Sequence, residues 1–160
     1  MKFLKLILIS LLFYSCNGDM GSGALGGWDI IVFKTSEKNL KIAIDSLYKI
    51  EPKYHHIKKW KYEADYWIKD HSYLETTIFY FREAPEEMYY VTYVGLGTGD
   101  NPNYSRLAIR GVENGNGSWK RYDDFSSMER LRISRRFEIE IVKQLERITG
   151  AKSYVEKKYR

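Results

Sequence analysis

YLETTIFYFREAPEEMYYVTYVGL, residues 73–96, holds two runs of β-prone residues on either side of a polar connection, Glu83-Ala84-Pro85-Glu86-Glu87. Branched and aromatic side chains pack well on a pleated surface, so Tyr73–Arg82 and Met88–Leu96 read as strands. A proline inside a short polar stretch marks a turn, which makes the pair an antiparallel hairpin. Side chains alternate along a strand: Ile78 and Tyr80 point to one face and Phe79 and Phe81 to the other, while Tyr89, Val91 and Tyr93 alternate with Tyr90 and Val94. Both faces of this hairpin are therefore apolar or aromatic.

Downstream, the glycine-rich loop 95–104 leads to a third strand, Ser105–Val112, and Glu113-Asn114-Gly115-Asn116-Gly117-Ser118 turns it into a fourth, Trp119–Asp123. Upstream, Trp28–Thr35 is a short β-branched run that ends at a helix start. Ser36 can cap that helix, Glu37 suits its dipole, and Leu40, Ala43, Ile44, Leu47 and Tyr48 recur at helical spacing until Pro52 forces a stop near Ile50. Residues 53–71 carry both helical and alternating spacings, and are read as a loop followed by a short helix. At the far end Ser126 and Glu129 have capping-box spacing, and Gly150 is a stop. Met128, Leu131, Phe137, Ile141, Val142, Leu145 and Ile148 are predicted to form the buried stripe between them. Sequential hairpins flanked by helices argue an α+β domain over 28–160. Its antiparallel sheet has about four to five strands, with an N-terminal and a C-terminal helix packed mainly on one face.

The residues ahead of that domain carry a different message. Lys2 and Lys5 precede the apolar run Leu6–Tyr14, which is far short of the ~20 residues needed to span a bilayer but suits the h-region of an export signal. Cys16, the single cysteine, sits where such a signal is cut, and Ser15 supplies the small residue before it. This arrangement resembles the lipobox of bacterial lipoproteins, although Phe13 and Tyr14 stand where that pattern has leucine and a small residue. The resemblance implies removal of residues 1–15, lipidation of Cys16 and export. The protein is then expected to be membrane-anchored by lipid, at the outer membrane facing the periplasm or at the cell surface. Two or three acyl chains make release slow. Residues 17–27 include five glycines and form a flexible tether, reaching about 18 Å. The folded domain is thus expected close to a membrane without resting in it.

Composition bounds what such a domain can do. Lys2 and Lys5 account for two of the 26 Lys and Arg, leaving 24 against 21 Asp and Glu. That balance is too mild for a nucleic-acid binder, so no nucleic acid is expected among the partners. With no second cysteine to form a bridge, stability rests on packing and hydrogen bonds, and aromatic residues make up 16% of the chain, 14 of them tyrosines.

Four places invite a chemical reading. Gly95-Leu96-Gly97-Thr98-Gly99-Asp100 follows a strand, but Asp100 stands where a dinucleotide motif has glycine and no Lys-Ser or Lys-Thr pair follows; a β–β loop accounts for it. His55, His56 and His71, with Glu63, Asp65 and Asp70, are the right types for zinc, yet the adjacent pair points in different directions and no HExxH pattern exists, so neither a metal nor a cofactor is expected. No nucleophile elbow or thiol nominates a catalytic residue. Arg130, Arg132, Arg135 and Arg136 cluster on the C-terminal helix beside Asp123, Asp124, Glu129, Glu138 and Glu140. They read either as a salt-bridged solvent face or as a patch for an anionic or acidic partner. Tyr90, Tyr93 and Trp119, among the sheet aromatics, read either as core or as a displayed recognition face. The expectation that follows is a non-enzymatic binding role as an accessory, inhibitor or immunity-type protein, with a protein or glycan partner in the envelope. A glycan-binding module is the alternative and an envelope hydrolase a weaker one.

Overall fold

The computed structural model describes residues 27–55, 61–70, 74–95, 102–115 and 117–156. The leader with Cys16, His56, His71 and most of the glycine-rich loop lie outside them. The elements run β1 (Ile30–Phe33), α1 (Glu37–Ile50), α2 (Lys61–Asp70), β2 (Thr76–Phe81), β3 (Glu87–Tyr93), β4 (Ser105–Glu113), β5 (Trp119–Lys120), α3 (Ser127–Phe137), α4 (Lys143–Thr149) and β6 (Ser153–Glu156). Short 3-10 turns cover Pro52–Tyr54 and Tyr122–Asp124, and a π-helical turn, Glu138–Val142, joins α3 to α4.

All the strands pair antiparallel in one sheet of order β2-β3-β4-β1-β6, with β5 beside β4. The fold is α+β, as the pattern of hairpins and flanking helices requires. The hairpin β2–β3 pairs Ile78 with Tyr90 and Phe79 with Tyr89, so the alternation read from 73–96 sorts its side chains correctly between the two faces. β1, although first in the chain, lies between β4 and β6.

One face carries the main core. Phe33, Phe79, Phe81, Tyr89, Val91, Leu107, Ile109 and Val112 of the sheet meet Leu40, Ala43, Ile44 and Leu47 of α1 and Ile133, Phe137, Ile141, Val142 and Leu145 of the C-terminal helices. Ser36 accepts the Asn39 N–H at the start of α1, and the Glu51 N–H bonds back to Leu47 before Pro52 ends the helix. Ser126 and Glu129 form a reciprocal capping box at the start of α3, and Gly150 closes α4 at φ 67°. The other face is divided. α2 covers β2 and β3, placing Ala64 and Trp67 against Ile78, Tyr80, Met88 and Tyr90. Among the described residues no helix lies over β1 there; the Arg106–Glu156 ion pair, 2.9 Å, bridges from β4 to β6 while Ile30, Val32 and Ala108 pack beneath Val94 and Tyr104.

Two sequence expectations need correcting. Met128 and Leu131 are not core: they are 78% and 66% exposed. Ile133 and Phe137 are the residues of α3 that turn inward, and Leu131 stands about 200° around the helix from Ile133 at 100° per residue. Glu87 is not part of the polar turn but the first residue of β3, paired with Phe81 and 1% exposed.

Candidate partner-binding site

The arginines of α3 are largely engaged within the molecule. Arg132 and Arg136, one helical turn apart, converge on the buried Glu87. Arg132 forms a two-bond fork, 2.9 and 2.6 Å, to the two carboxylate oxygens. Arg136 reaches the same carboxylate at 3.3 Å, donates to the Pro85 and Glu83 carbonyls at 2.6 and 3.0 Å and to Glu140 at 3.0 Å, and lies over the Phe81 ring. The Tyr89 hydroxyl adds a 2.9 Å donation to Glu87. Burial, and next the Glu87 carboxylate, push the Tyr89 phenol well above its ordinary range. Arg130 stacks on Tyr122 at 4.1 Å, donates to the Phe125 carbonyl at 2.8 Å and stands 3.9 Å from Asp123. Arg135 is exposed and, alone of the four, has no ion pair among the described residues. The helix thus acts as a clamp on the hairpin turn, and Glu87, which sequence reasoning placed in a loop, is its centre.

The aromatic face is also used internally. Tyr90 is fully buried, and Trp67 of α2 meets it edge-on at 5.3 Å while stacking at 5.1 Å on Trp119. Gly111 lies beneath: a Cβ there would stand 3.5 Å from Trp119 and 3.6 Å from Trp67. Tyr93 is half-buried against the main core with Lys41 over its ring, and burial raises its phenol pKa above the ordinary range. None of these three residues forms an open platform. His55 is exposed and packs on Tyr48 at 4.9 Å, and among the described residues no three His, Cys, Asp or Glu side chains gather as a metal site.

What remains open is the β6 side of the sheet. The opposite edge, β2, is shielded: the Tyr48 hydroxyl donates to the Ile78 carbonyl at 2.8 Å and bonds Thr77 at 2.7 Å, and burial pushes that phenol up to about 12. Among the described residues β6 has no strand beyond it. Its pairing with β1, together with the Lys34 N–H bond to the Lys152 carbonyl, makes Phe33/Ser153 a wide, non-bonded pair. Glu146 accepts the outward Ser153 N–H at 2.7 Å, which together with the Lys143 ammonium holds its carboxyl down at about 2 against the cost of burial. The same alternation turns the Val155 N–H and C=O away from the sheet. Tyr154 and Val155 are 46% and 50% exposed, on opposite faces.

Beside this edge the C-terminal helices stand off the sheet, leaving a cleft of about 150 Å³. Its apolar wall is Trp28, Ile31, Ile109, Phe137, Val142 and Val155, and Asp29, Glu138 and Lys143 add charge. The π-helical turn contributes Glu138 and Val142 to the lining; such one-residue expansions recur at functional sites. The buried indole N–H of Trp28 has no acceptor among the described residues. The sequence signal for this site was slight, four residues after a helix stop, Ser153-Tyr154-Val155-Glu156. No family model, no curated protein and no solved structure matches the chain.

Proposed function

We propose that the chain is an exported, lipid-anchored cell-envelope protein whose domain binds a protein partner without catalysing a reaction on it. Residues 1–15 direct export, and Cys16 carries the lipid that keeps the domain at the outer membrane, facing the periplasm or the cell surface. The partner adds an extended segment along β6 and places an apolar side chain in the adjoining cleft. The observation that carries this reading is the Val155 end of the β6 edge, where the Val155 N–H and C=O turn outward next to the cleft, beyond the Ser153 N–H that Glu146 occupies. Backbone pairing at such an edge supplies affinity, and pockets for alternate side chains supply selectivity. An accessory, inhibitory or immunity-type role fits a module of this kind. The glycan alternative loses support because α2 occupies the aromatic face it would use.

Affinity capture of the anchored full chain from its native envelope, run beside a Val155→Pro variant, tests the binding. Proline at 155 removes the outward N–H while leaving the bonds to β1 intact. Recovery of a partner by the unaltered chain and its loss with Val155→Pro is the expected result; equal recovery by both, or recovery of free protein alone, overturns it. A Cys16→Ser variant leaves the membrane fraction if the anchor is as stated, and continued membrane attachment removes that part of the reading.

A further inference from the structure

The exposed apolar residues of α3 and of the π-helical turn that continues it form a line. Met128, Leu131 and Ile139, with Arg135 between them, fall at steps of three, four and four residues on the side of the helix opposite Ile133 and Phe137. They are 78%, 66% and 55% exposed for the three apolar members, so this helix is apolar on two faces, and only one of them is covered by the domain. Ile42 and Ile50 of α1 are exposed with Ser46 between them, and Tyr66 and Ile68 lie on α2 across the sheet.

Where the leader joins the domain distinguishes α3 from these. Gly27 at φ 85° lies against Tyr122, so close that a Cβ would stand 2.7 Å from the tyrosine Cβ, and Trp28 meets Tyr122 at 5.0 Å and Phe125 at 6.1 Å. Arg130 then ties Tyr122 and the Phe125 carbonyl to the first turn of α3. The tether is therefore pinned beside the entrance of this helix. A tether reaching about 18 Å keeps all of α3, about 16 Å long, within its range of the bilayer.

We infer that the outer face of α3 is a lipid-contact surface, with Met128, Leu131 and Ile139 entering the headgroup and upper acyl region of the anchoring bilayer and Arg135 meeting lipid phosphate. This rests on the lipid anchor proposed above. Apolar residues opposite a buried face are the pattern by which a helix lies in a membrane interface. Three side chains give a contact too weak to recruit a free protein, but the anchor turns it into an intramolecular one at an effective concentration on the order of millimolar. The domain then lies down on the membrane on one chosen side, in place of the stand-off that the tether alone suggests.

The lone cysteine makes the test clean, because a lipidated Cys16 leaves an introduced thiol as the single site for a fluorophore. Full-length Leu131→Cys and Ile68→Cys chains, matured in cells, labelled and reconstituted in phosphatidylcholine–phosphatidylglycerol vesicles with brominated acyl chains, report lipid proximity by quenching. Quenching at Leu131, its absence at Ile68, and its loss at Leu131 when Met128→Ser and Ile139→Ser are added are the expected results. Equal quenching at both positions, or none at Leu131 in a chain whose mass shows the lipid, overturns the inference and leaves the anchor standing. A label at Leu131 shielded by a co-purifying protein but dark to lipid bromine reassigns the stripe to that protein. A mass showing the leader intact and Cys16 unmodified removes the anchor and this inference together.

Discussion

Glu87 carries more of this domain than its place in the sequence suggests. A carboxylate is rarely found inside a protein, and it survives here because a bidentate guanidinium, a second guanidinium and a phenol satisfy both oxygens. Removing such a partner leaves two positive charges over the core, so Glu87→Ala is expected to cost about 3–5 kcal/mol in urea denaturation. Arg132→Ala, at the more exposed of the two arginines, is expected to cost less than Arg136→Ala. Glu146 acts on the acid side. Its folded pKa, about 2, lies below the ordinary value of 4.5, so the unfolded chain binds more protons between those values and stability falls as pH drops through them. A Glu146→Gln variant is expected to be less stable at neutral pH and to lose less on acidification, which denaturation midpoints from pH 6 to about pH 2 check. Glu87 could not be assigned a role from the sequence alone, since the arginines that hold it come from a helix some 45 residues on.

At the level of elements, local chemistry made most of the fold legible. The hairpin announced itself because alternation and turn chemistry agree, and both long helices carried caps that the folded chain uses. The short helix expected within 53–71 is present as α2 at Lys61–Asp70, although the same residues also alternate; it forms where Trp67 can cover the hairpin. Two things were not legible. β6 is four residues long, too short for a period to develop, and exists because β1 offers it an edge. Met128 and Leu131 were assigned to the core because apolar residues on α3 lie on both sides, and spacing does not say which side faces inward. The candidate site suffered most: Arg130, Arg132 and Arg136 and the tyrosines singled out by type serve internal packing, while β6 and the cleft depend on long-range pairing. The contact of α2 with the sheet is tested at Gly111. A Gly111→Val side chain would drive into the two tryptophans and cost about 1–3 kcal/mol, with the near-ultraviolet dichroism of Trp67 and Trp119 weakened first.

For the molecule as a whole, β1 is the keystone, since it is the strand that links β4 to the end of the chain. Deleting residues 151–160 would uncover β1 along its length, and a bare strand flanked by Ile31 and Val32 invites pairing between copies. The shortened chain is expected to associate on size-exclusion chromatography at concentrations where the full chain stays monodisperse. The partnership of Ile30 with Glu156 has another consequence: the polypeptide enters and leaves the body at neighbouring points of one pole. A circular permutant could therefore be closed there by a short linker and reopened in the turn between β4 and β5 or at the start of α1. It would keep the same interior while carrying the proposed lipid at a different latitude, so that the orientation an anchored domain takes on a membrane could be dialled independently of the fold.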